Sequence, residues 1–223
     1  MAYFTKDFIN FFKELAGNNN RAWFTENKKR YEDSVKRPFE AFIEEMITQL
    51  ARQDKRITMT PKESIFRIYR DVRFSKDKTP YKTKASAIIS PGGKKDKSTP
   101  GVYLEMGPEH IRFYSGAHVL EKEQLHNVRS YIASNMKAFD RVITEKEFSG
   151  SFSEILGEKH KRIPPEFQEA FAKQPLIANK SFYFYSQFKP GIATDPELVT
   201  KLMDTYRIAK PAMNFLNTAM HSN

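Results

Sequence analysis

Cysteine is absent from all 223 residues. Disulfides, thiolate catalysis and cysteine-ligated zinc are therefore excluded. Glycine is sparse, at nine residues, and none of it spells a phosphate cradle. The stretch SPGGKKDKS (90–98) has glycine and lysine without the spacing of a P-loop, and no strand-to-helix unit surrounds it. It reads as a hairpin loop whose lysines reach toward a polyanion. The five histidines (His110, His118, His126, His160 and His221) show no zinc-ligand spacing, so neither a metal nor another cofactor is expected. No apolar run approaches the roughly 18 residues of a membrane span. The opening MAYFTKDF lacks the apolar centre of a signal peptide. The expectation is a soluble, cytoplasmic protein with no membrane partner.

Tryptophan occurs once, whereas phenylalanine occurs nineteen times and tyrosine ten. A hydrophobic content of 39% supplies a packed core, which rules out global disorder. Positive charge is in excess. The net charge is +10 and the isoelectric point about 9.6, which favours nucleic acid, nucleotides or other phosphorylated partners.

Half of that excess lies in RIYRDVRFSKDKTPYKTK, residues 67–84, where Arg67, Arg70, Arg73, Lys76, Lys78, Lys82 and Lys84 face only Asp71 and Asp77. Read as a strand, Arg67, Tyr69, Asp71 and Arg73 share one face. Read as a helical turn, the three arginines stack at a spacing of three. Guanidinium forks match the oxygens of phosphate and carboxylate. Asp71 is placed to orient a fork, Lys78 and Lys82 to close over a bound anion after the turn at Pro80, and Tyr81 to wall it. The competing reading is an internal network in which Asp71 and Asp77 tie Arg70 and Arg73. A solvated basic face fits less well, because Ile68, Val72 and Phe74 are interleaved.

The surrounding elements read as an α+β fold. Thr5 caps a helix carrying Phe8, Ile9, Phe11, Phe12 and Leu15. Asn20 caps a second, which bends at Pro38 and continues with Phe39, Phe42, Ile43, Met46, Ile47 and Leu50 as its apolar stripe. Strands are expected at 64–69, 84–90, 102–106 and 110–116, with a turn at Gly107-Pro108-Glu109. Helices follow at about 121–136 and 137–147 and near 164–173. A late strand at 181–188 sets Phe182, Phe184 and Phe188 against Tyr183 and Tyr185. Its alternating aromatics resemble an RNA-recognition strand only superficially, since Tyr183 and Gln187 stand where that pattern wants a small residue and an aromatic. The last helix starts at Thr194-Asp195-Pro196 and kinks near Pro211. The sum is an antiparallel meander packed by N-terminal and C-terminal helices, as a single domain of residues 1–223.

Further candidates lie outside the basic stretch. Arg21, at a helix start whose N–H groups attract anions, joins the site if the two segments meet. His118, at a strand end, is the histidine placed nearest a site, although a structural role is commoner. Glu105 and Glu109 are candidates for pairing with a cation or for general-base work.

The run Arg67-x-x-Arg70-Asp71-x-Arg73-Phe74 followed by Asp77-Lys78-x-x-Tyr81 resembles the signature of a bacterial family, domain of unknown function 2461. The segments NNNRAWFTENKKRYE (18–32), GEKHKRIPPEF (157–167) and KSFYFY (180–185) extend the resemblance over most of the chain. It implies that the basic stretch defines the family and brings no activity with it. The residues themselves point to an anionic small molecule or nucleotide. A phosphoester-processing enzyme with Asp71 as its acid–base group, a nucleic-acid-binding module and a purely structural network are the alternatives.

Overall fold

Thr5 and Asn20 each open a helix by accepting a backbone N–H, from Asp7 at 3.3 Å and from Trp23 at 3.0 Å. In the computed structural model, which describes residues 2–222, these helices are α1 (Lys6–Gly17) and α2 (Arg21–Glu26). The helices α3 (Lys28–Tyr31) and α4 (Arg37–Gln53) are joined by a π-helical turn, Glu32–Lys36. That turn stands just ahead of Pro38, where the sequence suggests a bend. Proline lacks the N–H that an α-helix needs, and its ring crowds the carbonyl four residues back. A wider turn relieves this, with the Arg37 N–H reaching the Glu32 carbonyl. Phe39, Phe42, Ile43, Met46, Ile47 and Leu50 are all buried, as the stripe requires.

Residues 64–69 depart from the expected strand. Pro61–Ser64 forms a short helix, α5, because Thr60 and Glu63 make a reciprocal capping box. Beyond it only Ile65 and Tyr69 make isolated bridges, to Ala87 and Tyr81. The strands β1 (Ala85–Ile89), β2 (Val102–Met106), β3 (Ile111–Ala117) and β4 (Phe182–Phe188) form one antiparallel sheet in sequence order. Val102, Leu104, Met106, Ile111 and Phe113 are buried, in keeping with their alternation.

The helical remainder comprises α6 (Lys122–Ser134), α7 (Met136–Thr144), α8 (Lys146–Ser151), α9 (Gln168–Lys173) and α10 (Leu198–His221). The last begins beyond Pro196, two residues later than the proline suggests. The Leu198 N–H instead closes a turn on the Asp195 carbonyl at 3.1 Å. Pro211 lies within this helix. No described helix is long and apolar enough to cross a membrane.

The described residues group into two compact units, each assembled from three stretches of chain, so no single linker marks a border in the sequence. The first holds the residues up to Gly93, Tyr103–Phe113 and Gln187–Met203. Its core is aromatic: Phe4, Phe8, Phe11, Phe12, Phe39 and Phe42 are all buried, with Phe4 and Phe8 ring centroids 4.3 Å apart. The second holds Lys94–Val102, Tyr114–Ser186 and the chain from Asp204 on. Here Phe184 meets Phe148 and Phe152, each at 4.9 Å. Gly116, at φ 105°, lets β3 approach β4, because a Cβ there would lie 2.2 Å from the Phe182 carbonyl oxygen.

Candidate functional site

The basic stretch folds into a small hairpin within the first unit. Tyr69 and Tyr81 oppose each other as a non-hydrogen-bonded pair, flanked by Arg70 N–H to Pro80 O at 2.9 Å and Lys82 N–H to Ile68 O at 2.8 Å. Such pairs bring their side chains close, and the two rings lie 5.4 Å apart. Tyr81 is buried and stacks on Phe24 at 4.1 Å and 16°. Tyr69 stays 52% exposed. The pairing sends Ile68 inward and leaves Arg67 and Tyr69 on the outer face.

The Asn cluster meets this hairpin. The Asn19 amide donates to the Tyr81 carbonyl at 2.9 Å and accepts its N–H at 3.1 Å, the two-way grip of a strand neighbour made by a side chain. Arg21 follows at the start of α2, and its charge acts on the Tyr81 hydroxyl, countering the burial that raises that group. The two segments are therefore in one place.

The three arginines do not converge. Arg70, half-buried, donates to Asp77 and to the Thr79 hydroxyl and carbonyl. Arg73 grips Asp71 through two bonds, at 3.0 and 2.7 Å. Lys78 Nζ donates to the Val72 and Arg73 carbonyls at 2.9 and 3.4 Å. Lys82 lies over the Phe66 ring at 5.4 Å. Arg67 is exposed; it acts on Asp71 electrostatically and, among the described residues, has no hydrogen bond or ion pair. The Arg21 guanidinium likewise has none. Inward of Ile68, residues including Phe39, Ile65 and Lys84 line a cavity of about 30 Å³, room for one water.

The carboxyls report the same division. Asp77 is pulled down to about 2, first by the Thr79 backbone N–H and then by Arg70. The Arg73 fork holds Asp71 below its ordinary value. A carboxyl held low is an acceptor at neutral pH and does not serve as a general acid.

His118 belongs to the second unit, exposed, with its ring edge-on to Tyr183 at 5.3 Å. Glu109 is exposed. Glu105 is buried and bonded to Lys84 at 2.7 Å, with His110 Nε2 at 3.0 Å. Burial works to raise Glu105, but those two bonds outweigh it and leave the carboxyl low. Of its two candidate roles, pairing with a cation is the one formed. Among the described residues no group of three or more histidines and acids is placed to hold a metal.

Two arginines outside the stretch are engaged in ways that the cation spacing did not signal. Arg30 holds Asp7 and Glu14, each at 2.6 Å, with Phe11 at 5.8 Å from its Cζ. A cue existed, since Asp7 and Glu14 are seven residues apart and share one face of α1. Arg129, buried in α6, caps the carbonyls of Ile177 and Asn179 at 2.8 and 3.3 Å.

An antiparallel meander flanked by helices, with an internally braced basic hairpin, defines an α+β protein whose most distinctive feature is residues 67–84. The chain belongs to the family described as Conserved hypothetical protein (DUF2461), whose model matches residues 7–215. Comparison with curated proteins and with solved structures found no match.

Proposed function

We propose that the protein binds a phosphorylated or other anionic ligand, in the cytoplasm, on the outer face of the basic hairpin. The observation that carries this reading is two guanidinium groups without a hydrogen bond or ion pair among the described residues: Arg67, exposed on the hairpin two residues before the half-exposed Tyr69, and Arg21, whose charge reaches the Tyr81 hydroxyl at the ring stacked on Phe24. An arginine with no internal acceptor keeps its whole fork for a ligand, so binding an oxyanion costs no broken ion pair. Arg70, Asp71, Arg73 and Lys78 serve this site by shaping the loop beside it, and Lys82 adds positive charge. The structural network and the ligand site thus divide the cations between them. The low Asp71 carboxyl weighs against its serving as the general acid of the enzymatic alternative.

A thermal-shift series with phosphate, pyrophosphate, sulfate and nucleotides, at two salt concentrations, tests the reading. Ligand at a hundredfold over its dissociation constant adds about 2.7 kcal/mol, or roughly 5–10 °C in a chain of this size. Arg67→Ala and Arg21→Ala are expected to abolish the shift while melting like the parent without ligand. No shift with any anion overturns it.

A further inference from the structure

The loop between Tyr69 and Tyr81 ends on a side chain that packs against almost nothing. Phe74 is 96% exposed, more than any other large apolar side chain among the described residues. A lone surface apolar residue ordinarily needs no explanation. The bracing around this one is what calls for one. Arg70 ties the far side of the loop through Asp77 and Thr79, Lys78 crosses to the carbonyls of Val72 and Arg73, and the Ser75 N–H closes a turn on Val72 at 3.3 Å. None of these bonds involves the Phe74 side chain, yet together they hold its backbone on both sides. The Arg73 guanidinium lies 5.9 Å from the ring centroid, held there by Asp71, so cationic charge stands beside an otherwise bare aromatic ring. Lys76 and Lys78, both exposed, flank the tip.

We propose that Phe74 is a stacking finger for single-stranded nucleic acid. A base packs on the ring while Lys76 meets a phosphate beside it, the braced Arg73 and Lys78 add positive charge, and Arg67 receives the strand along the hairpin. The proposal rests on the anion-binding reading of the same stretch and names its ligand class. Single strands offer free base faces, which a duplex hides in its stack, and one ring suffices to hold one base. Insertion into an anionic lipid surface scales with buried apolar area, and this tip supplies a single ring between Asp71 and Asp77.

The test measures anisotropy of a short labelled oligothymidylate, its duplex with oligodeoxyadenylate, and sedimentation with phosphatidylserine vesicles, at two salt concentrations. The expected result is tighter binding to the single strand, weakened by salt. Phe74→Ala loses about five- to a hundredfold, the worth of one base stack, and Phe74→Tyr restores most of it. Pyrophosphate-induced thermal shifts stay the same in Phe74→Ala, which shows that the site beside the finger is intact. Equal oligonucleotide binding by Phe74→Ala and the parent, or binding to vesicles or duplex alone, overturns the proposal. Pyrophosphate binding without oligonucleotide binding sinks the finger and spares the anion site; loss of both sinks both.

Discussion

Arg30 and Arg70 both grip carboxylates in the first unit, and they differ in how far along the chain their partners lie. Arg30 reaches back 23 residues to Asp7 and 16 to Glu14, fastening the start of the long helical segment to α1 beside Phe11. Arg70 reaches seven residues to Asp77 and nine to Thr79, and its neighbour Arg73 only two, to Asp71. A contact between distant segments holds the fold. A contact within one loop shapes that loop and leaves the fold nearly indifferent. The same chemistry therefore does two jobs, and the sequence separation of its partners decides which.

Between the two arginines, the larger expected effect is that of Arg30→Ala. It removes two bidentate charge-assisted pairs and leaves Asp7, partly buried, without its principal donor. Hydrogen bonds to charged groups contribute roughly 1.5–3 kcal/mol, so a loss of about 2 kcal/mol corresponds to a fall in Tm of about 4–8 °C. Arg70→Ala is expected to lower Tm by less than about 2 °C, because its principal acceptor is exposed and solvent takes over. Its signature is local: faster amide exchange across residues 71–79 with the helices unchanged. A fall in Tm for Arg70→Ala as large as for Arg30→Ala breaks the comparison.

Acid sharpens it further. Asp77 titrates at about 2 in the folded chain, below its ordinary 3.8, so it contributes stability that is present above about pH 4 and lost as pH falls toward 2. Asp7 is lowered too, through its Arg30 hydrogen bond, and contributes with the same sign. Carboxyl titration followed by NMR distinguishes the two. In Arg70→Ala the Asp77 midpoint rises only part of the way to 3.8, since the Thr79 backbone N–H, the largest influence, remains. In Arg30→Ala the Asp7 midpoint loses its main depressing cause. An Asp77 midpoint unmoved by Arg70→Ala means that the pair does not persist in solution.

Local signals were legible in the sequence. Thr5 and Asn20 announce helix starts, the stripe from Phe39 to Leu50 keeps helical spacing, and alternation marks β2 and β3, because each depends on neighbours within a turn or a residue pair. Residues 64–69 misled because their β-branched and aromatic side chains suit a strand, whereas the Thr60-x-x-Glu63 capping box takes Ser64 into a helix and the rest pairs only through the isolated bridges of Ile65 and Tyr69. The candidate site was legible as a concentration of charge and not as a set of free groups. Spacing alone treats Arg67, Arg70 and Arg73 alike, whereas the turn at residues 73–74 sends Arg73 back to Asp71 and leaves Arg67 between the isolated bridges of Ile65 and Tyr69. Arg30 was passed over because its acceptors lie in another helix, where only tertiary packing joins them.

The smallest stability effect belongs to Phe74→Ala. A ring that is 96% exposed contributes almost no burial, so Tm should stay within about 1 °C of the parent, as surface substitutions usually do. The contrast with its neighbour on the hairpin is what gives the measurement value. Tyr81 is stacked on Phe24 and buried, so truncating it removes packed volume at a cost of about 3–5 kcal/mol. If Phe74→Ala also melts several degrees early, the ring packs against the loop in solution, and the tip is part of the brace. If it melts with the parent, the bonds of Arg70, Arg73 and Lys78 hold up a side chain that the fold does not use, as the proposed stacking role requires.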